Sequence, residues 1–202
     1  MNHYFKDSNN KENRYFNFYA NLDDTEFKIR SSDNVFSKNS VDYGTRVLLR
    51  TIKDNYIEIK GEVLDFGCGY GIIGMYLKTI YPNISLCMSD ITNIAIELTK
   101  HNLKDNNIND VDVIKSDLFE NIIKKFNYII TNPPIKVGKH VLIKIINEGK
   151  EKLKDNGQLI LVIKKKHGKD SIKKEMKNVF GNVDILKREK GYYVLKSVKD
   201  EI

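Results

Sequence analysis

The chain has 202 residues, of which 41% are hydrophobic, and its mean hydropathy is -0.45, as expected for one globular domain. No apolar run approaches the roughly 20 residues of a membrane span, and residues 1–7 lack the apolar stretch of a signal peptide, so we expect a cytoplasmic protein. The two cysteines and four histidines show no disulfide or metal spacing, and the net charge of +7 suits a polyanionic partner such as RNA.

Two strands near the N-terminus are predicted to form a hairpin. They cover residues 15–22 and 25–30, with the turn at Asp23-Asp24. We expect the hairpin to cover part of the domain or the mouth of a site. A helix over residues 46–56 follows, because apolar residues recur there at helical spacing. We predict a single domain over residues 1–202, with a hairpin extension at 1–32 and the core at 33–202.

From Glu62 onward, strands alternate with helices, which is typical of a doubly wound α/β fold with a parallel sheet. The predicted strands are 62–66, 84–89, 111–115, 128–131 and 158–163, and the predicted helices are 72–81, 92–105, 118–124, 139–154 and 171–180. Gly157 is a signal for the end of the fourth of these helices. Two further strands, 182–187 and 192–198, are joined at Lys190-Gly191 and bring the sheet to seven.

A glycine-rich turn follows the first strand of the core, with the sequence Asp65-Phe66-Gly67-Cys68-Gly69-Tyr70-Gly71. Glycine permits positive φ and lets a ligand lie against the backbone, and the next helix directs its free N–H groups at the turn. One interpretation is a dinucleotide site, because Gly69 to Gly74 fits that pattern and Asp90 stands at the distance of a ribose-binding acid. An acid before the first glycine instead resembles motif I of class I S-adenosylmethionine (SAM) methyltransferases. A purely structural turn is the third interpretation.

The segment Asn132-Pro133-Pro134-Ile135 comes directly after the strand predicted at 128–131. The side-chain oxygen of Asn132 and the carbonyl of Pro133 can both accept N–H bonds from an exocyclic amine. Such acceptors orient the lone pair of a weakly nucleophilic arylamine towards a methyl donor and stabilise the positive charge that develops on nitrogen. Proline fixes φ and so holds both acceptors rigidly. The alternative is an ordinary turn after a strand.

Together these motifs resemble the small-subunit ribosomal RNA guanine-N2 methyltransferase C family. The likeness also includes Val35-Phe36-Ser37, Val41-Asp42-Tyr43-Gly44-Thr45 and the closing Lys190-Gly191-Tyr192-Tyr193, and it is strongest for short single-domain members. It implies a Rossmann-like class I methyltransferase fold with a seven-stranded, mostly parallel sheet and helices on both faces. It further implies SAM as cofactor, ribosomal RNA or the small ribosomal subunit as partner, no metal, and a monomer or weak homodimer.

The resemblance also implies roles for individual residues. Asn132 and Pro133 are catalytic by this comparison, Asp90 accepts the ribose hydroxyls, and Asp117 receives the adenine amine. The residues assigned to the cofactor are Thr45, Asp65, Gly67, Cys68, Gly69, Gly71, Asp90, Ile91, Asp117, Leu118 and Asn132. The residues assigned to the substrate are Phe36, Ser37, Pro134, Ile135 and Lys136. Ile135 stands where many amino methyltransferases, and the two-domain members of this family, have a base-stacking aromatic residue, and we hypothesise that Phe36 replaces it.

Structural roles compete with these assignments, since Asp90 and Asp117 could each serve a helix N-terminus. Other functions also remain open: methylation of a protein glutamine or a nucleic-acid adenine, a noncatalytic RNA-binding module, and a nicotinamide oxidoreductase. The basic run from Lys164 to Lys169 is either a contact for RNA phosphates or a solvated lysine-rich loop.

Overall fold

A computed structural model of the protein describes residues 13–35, 37–56, 58–133 and 138–201. The strands are β1 (Tyr15–Leu22), β2 (Thr25–Ser32), β3 (Glu62–Phe66), β4 (Ser85–Asp90), β5 (Val111–Lys115), β6 (Phe126–Thr131), β7 (Leu153–Lys164), β8 (Asp184–Glu189) and β9 (Tyr192–Val198). The helices are α1 (Tyr43–Asn55), α2 (Ile72–Ile80), α3 (Asn93–Asp105), α4 (Lys139–Lys152) and α5 (Lys169–Phe180), with a short 3-10 helix at Lys165–His167. Among these described helices, none is long and apolar enough to cross a membrane.

Seven strands form the central sheet in the order β5-β4-β3-β6-β7-β9-β8. Strands β3 to β7 run parallel, and β9 runs antiparallel to both of its neighbours. The predicted α/β class and the seven-stranded, mostly parallel sheet are confirmed.

The sheet is buried on both faces because successive residues of a strand point in opposite directions. In β3, Val63 belongs to one apolar cluster and Leu64 to the other. The Val63 cluster includes residues of α1, α2 and α3, and the Leu64 cluster includes residues of α4 and α5. Helices therefore cover both faces, and the ends of the strands are left to build a site.

The predicted hairpin is confirmed, and α3 holds it in place. Strands β1 and β2 pair antiparallel from Tyr15 opposite Ser32 to Leu22 opposite Thr25. The buried side chain of Asn102 on α3 accepts from the Arg30 amide at 2.8 Å and donates to the Arg30 carbonyl at 2.9 Å. The same amide nitrogen donates to the Tyr70 carbonyl at 2.8 Å, so one side chain joins the hairpin to the glycine-rich turn.

The helix predicted at 118–124 is wrong, because this segment is a series of turns. Leu118 takes a φ of 46°, in the left-handed region that helices do not use. The side chain of Asn121 donates to the Lys115 carbonyl at 2.9 Å, and its backbone amide donates to Ser116 Oγ at 3.0 Å. These local bonds compete with helical ones, as Asn side chains commonly do.

The predicted end of the fourth core helix is also wrong. Helix α4 ends at Lys152, and β7 begins at Leu153 and runs through Gly157. A Cβ on Gly157 would lie 2.7 Å from the Lys154 oxygen and 2.9 Å from the Phe126 oxygen. Glycine is needed there because two backbone segments approach closely within an irregular stretch of the sheet, not because a helix ends.

Helix α1 begins earlier than predicted, at Tyr43, because Asp42 caps its N-terminus by accepting from the Thr45 amide at 3.3 Å.

Candidate active site

The carboxyl ends of four neighbouring parallel strands bring the predicted site residues together. The glycine-rich turn follows β3, Asp90 ends β4, Asp117 comes after β5, and Asn132 directly follows β6. The amides of Gly67 and Cys68 both donate to the Ser89 carbonyl at 2.9 Å, which attaches the turn to the end of β4. This edge is where doubly wound sheets open their ligand crevice.

Backbone conformation explains the glycines of the turn. Gly67, Gly69 and Gly71 have φ values of 73°, 59° and 94°. A Cβ built on Gly67 or Gly69 would meet no described atom within 4 Å, so the backbone of the turn presents an open surface to a ligand. Gly74 differs, because a Cβ there would lie 2.7 Å from Met88 Cε, and its role is to let α2 pack against β4.

Asp65 is a buried carboxylate with an incomplete set of partners. Its Oδ2 accepts from the Gly74 amide at 2.8 Å, whereas Oδ1 is buried and has no hydrogen-bond partner among the described residues. Burial raises the pKa of Asp65 to about 7. A buried acceptor without a donor is costly, so this atom fits a ligand that brings a donor or a positive charge.

Asp90 has both of its oxygens held in place. Oδ2 accepts from the Gly69 amide at 3.0 Å, and Oδ1 accepts from the amide and hydroxyl of Thr92 at 3.1 and 3.2 Å. These bonds use both lone pairs of Oδ1 and one of Oδ2, so Oδ2 can still accept a hydroxyl of a ligand. Thr92 itself caps α3. The structural role of Asp90 near a helix N-terminus and the predicted ligand role are therefore compatible.

Asp117 is exposed beside the same edge, since the Ser116 amide donates to the Asp90 carbonyl at 2.9 Å. The alternative role as a helix cap fails, because no helix follows Asp117. Ile91 and Leu118 are half-buried next to the two acids.

Cys68 is held inside the turn. Its Sγ lies 3.4 Å from Thr99 Oγ1, and Thr99 donates to the Gly69 carbonyl at 3.1 Å. Burial raises the pKa of the Cys68 thiol, which keeps it neutral and unreactive. Sequence reasoning missed Thr99 and Asn102 as supports of the turn. The sequence signal for these two residues is that each is a polar residue on the apolar face of the helix predicted at 92–105.

Asn132 is joined to the start of α1. Its Nδ2 donates to Asp42 Oδ2 at 3.1 Å and to Thr45 Oγ1 at 2.9 Å. A carboxylate can only accept, so the amide nitrogen must face Asp42 and the amide oxygen must point elsewhere. No described residue donates to Asn132 Oδ1. The side chain is thus a fixed acceptor with its oxygen available, next to the buried Pro133.

Ser37 lies beside the buried Tyr70 of the glycine-rich turn. It takes a φ of 65°, and its hydroxyl donates to the Ser40 carbonyl. The other residues predicted to bind substrate, Phe36, Pro134, Ile135 and Lys136, lie outside the described residues.

Comparison with known proteins identifies the family. The family model of the methyltransferase small domain matches residues 26–196. The chain belongs to this family, and it is a methyltransferase by fold and by family. The methyltransferase family implies S-adenosylmethionine as its cofactor.

Individual relatives agree with this assignment. The chain is 35% identical to the uncharacterized protein YbxB of Bacillus subtilis over 98% of both chains. It is 39% identical to the ribosomal RNA small subunit methyltransferase C of Pasteurella multocida over 61% of this chain and 36% of that protein. The chain thus matches about a third of the length of that relative.

Among solved structures, a T. thermophilus 16S rRNA N2 methyltransferase (RsmC), in complex with AdoMet and guanosine, superposes with a TM-score of 0.81. The match has 23% identity and covers 92% of this chain and 50% of that one. A methyltransferase from Pyrococcus furiosus superposes with a TM-score of 0.73 at 17% identity. The family resemblance predicted from the sequence is confirmed.

Proposed function

We propose that this protein transfers a methyl group from S-adenosylmethionine to the exocyclic N2 amine of a guanine in small-subunit ribosomal RNA. The observation that carries the proposal is the fixed amide of Asn132, whose nitrogen is held by Asp42 and Thr45. The likeness to relatives named ribosomal RNA small subunit methyltransferase C supports the choice of ribosomal RNA.

The crevice beside β3 and β4 fits the cofactor. Asp65 Oδ1, buried and unpaired among the described residues, receives the ammonium of its amino acid part, and the open backbone of Gly67 and Gly69 lies along that part. In this proposal Asp90 Oδ2 accepts a ribose hydroxyl, and Asp117 accepts from the adenine amine. When bound, the cofactor supplies an electrophilic methyl group on a sulfonium.

Asn132 and Pro133 act on the acceptor amine. Asn132 Oδ1 and the Pro133 carbonyl accept its two N–H bonds, which turns the nitrogen lone pair towards the methyl group. Because Asp42 and Thr45 hold the Asn132 amide, its oxygen stabilises the positive charge that develops on nitrogen without reorganising. The step needs no protein nucleophile.

One sequence feature argues against the closest alternatives to this function. Methyltransferases that act on protein glutamine or on adenine favour an aromatic residue after Asn-Pro-Pro, and this chain has Ile135 there. Guanine as the substrate, the metal-free mechanism, the cytoplasmic location and the oligomeric state stay predictions.

The test is transfer of a labelled methyl group to undermethylated small ribosomal subunits. We expect the wild-type protein to label a guanine and Asn132→Ala to lower kcat by about 100-fold or more, while SAM affinity changes little. Asn147→Ala, an exposed position on α4, is the matched control. Label recovered on another base, or an undiminished rate for Asn132→Ala, would overturn the proposal. Mass mapping of ribosomal RNA from cells with and without the protein identifies the nucleotide.

A further inference from the structure

Two basic turns meet beside the candidate active site. The 3-10 helix Lys165–His167 follows β7, and the turn Lys190-Gly191 joins β8 to β9. The Lys165 amide donates to the Gly191 carbonyl at 2.7 Å, which fixes one turn against the other. We call the cations that these turns and their flanks present the basic surface. They are Lys164, Lys165, Lys166, Lys169, Arg188 and Lys190.

Tyrosine rings support four of these cations. Lys164 Nζ lies 4.9 Å from the centroid of Tyr192, and Lys169 Nζ lies 4.8 Å from that of Tyr193. Lys190 Nζ lies 5.2 Å from the Tyr43 ring, and the Arg188 guanidinium lies 5.7 Å from the Tyr193 ring. The face of an aromatic ring attracts a cation electrostatically and does not use the N–H donors of that cation. The charges are therefore positioned, yet they keep their hydrogen-bonding capacity for an external anion.

The same tyrosines connect the basic surface to Asn132. Tyr43 follows Asp42, the residue that accepts from the Asn132 amide. The rings of Tyr43 and Tyr192 have centroids 5.6 Å apart. A Cβ on Gly44 would lie 2.9 Å from Tyr192 Cε1, so Tyr192 packs directly on the first turn of α1. The basic surface therefore adjoins the first turn of α1, and this turn orients Asn132, the proposed hydrogen-bond acceptor for the substrate amine.

Most cations of the basic surface lack ion pairs among the described residues, in contrast to three lysines elsewhere in the chain. Lys28, Lys53 and Lys124 each lie within 3.1 Å of an aspartate oxygen. Across the described parts of the chain, the amines of Lys165 and Lys190 have no carboxylate within ion-pairing distance. The same holds for Lys164, Lys166 and Arg188.

Nearby acids are already engaged and leave this excess of positive charge uncompensated. Glu189 accepts from the Tyr43 hydroxyl at 2.5 Å and pairs with Arg50 at 2.8 Å, and Asp170 pairs with Lys169. The positive charge of this region also affects His167. Burial, together with the charges of Lys166 and Lys164, lowers the pKa of its imidazole.

We propose that the basic surface binds the phosphate backbone of the RNA strand that flanks the guanine delivered to Asn132. The inference rests on the proposed function and specifies how its substrate is held. Phosphate contacts position a strand without reading its bases, whereas the Asn132 side of the crevice receives the base itself. RNA is favoured over an acidic protein because the cations without ion pairs in the described chain adjoin the first turn of α1, which orients Asn132, and the proposed reaction brings a single extruded base to Asn132.

The test compares two triple variants that remove the same charge. One is Lys165→Gln, Lys166→Gln and Lys190→Gln on the basic surface. The control is Lys100→Gln, Lys104→Gln and Lys125→Gln, at exposed positions elsewhere. The probe is naked small-subunit ribosomal RNA, and its affinity is measured over a series of salt concentrations.

We expect the surface variant to weaken RNA binding by about tenfold or more at 0.1 M salt and to lower the slope of log K against log salt by about 2, since each lost phosphate contact removes about 0.7 to 0.9. The control should bind as the wild type does. A third variant with arginine at the same three surface positions keeps the charge and should restore the affinity, which excludes misfolding as the cause.

Equal affinity and equal salt slope for the surface variant and the wild type would overturn the inference, and methylation by both would leave the proposed function intact. A loss seen only with assembled subunits and never with naked RNA would also overturn it and indicate a ribosomal protein as the partner. If the wild type binds RNA through this surface but methylates none, the proposed function fails and the inference on binding survives.

Discussion

The amide nitrogen of Asn132 lies 3.1 Å from Asp42 Oδ2, a carboxylate ninety positions earlier in the chain. Asp42 also caps α1 through the Thr45 amide. The orientation of the proposed acceptor therefore depends on where α1 begins. Asp42 and Thr45 are positioning residues, because they act on the substrate through Asn132.

Asp42→Asn should lower kcat by about 10- to 100-fold, because the new amide can offer a donor to Asn132 and let its side chain rotate. Asparagine caps a helix about as well as aspartate, so we expect the free energy of unfolding to change by less than about 1 kcal/mol. Steady-state methylation and urea unfolding measure the two effects. Asp54→Asn, an exposed carboxylate on the same helix, is the control, and a loss of activity in both variants would refute the positioning role.

Thr45 was predicted to bind the cofactor, and the structure joins its hydroxyl to Asn132 at 2.9 Å. Thr45→Val removes the acceptor but keeps the volume, whereas Thr45→Ser keeps the hydroxyl. We expect Thr45→Val to lower kcat with little change in SAM affinity, and Thr45→Ser to retain most of the activity. Calorimetric titration with SAM separates the roles, since a weakened SAM affinity in Thr45→Val would support the cofactor contact instead.

Asp65 should make the stability of the ligand-free protein depend on pH. Its pKa is raised from an ordinary value of 3.8 to about 7, so between these values the folded state keeps a proton that the unfolded state loses. The stability contributed by this group is complete below pH 3.8 and is lost as pH rises through 7. Asp65→Asn removes this dependence and keeps an acceptor for the Gly74 amide. We expect the difference in Tm between variant and wild type to grow in favour of the variant from pH 4 to pH 8.

The control for that experiment is Asp112→Asn, which makes the same replacement at an exposed aspartate. A bound ammonium would stabilise the charged form of Asp65. Saturating SAM should therefore flatten the pH trend of the wild type. A trend that persists with SAM would contradict the assigned contact.

Two glycines near the same core should respond to alanine in opposite directions. A Cβ on Gly157 would meet backbone oxygens at 2.7 and 2.9 Å, which cannot move without disturbing the sheet, so we expect Gly157→Ala to destabilise the protein by about 2 kcal/mol or more. A Cβ on Gly149, inside α4, would lie 3.6 Å from Phe119, an ordinary contact. Gly149→Ala should stabilise by about 0.5 to 1 kcal/mol, because alanine favours the helix. Chemical denaturation of both variants measures the difference, and similar losses would show that the close approach at Gly157 is not the determining factor.

Local sequence patterns are sufficient to predict the main elements of the fold and the position of the site. Alternating strands and helices from Glu62 predict the parallel sheet, and its strand ends place the glycine-rich turn, Asp90 and Asn132 at one edge. This follows because parallel strands joined by helices always present their carboxyl ends on the same side. The N-terminal hairpin is equally local, since turn residues separate two short strands.

The hydrogen bonds that hold these residues in place could be found only from the packing of elements that are distant in the sequence. The bonds from Asn132 to Asp42 and Thr45 cross 90 and 87 positions, and nothing in the sequence around either end specifies the other. Asn102 supports the turn and the hairpin at once by the same kind of distant contact. Gly157 looks like a helix end from its neighbours alone, because the Phe126 oxygen that requires a glycine there is brought in by a different strand. The conformational preferences of neighbouring residues determine which segments form helices and strands. The packing of those helices and strands against each other determines which atoms come into contact.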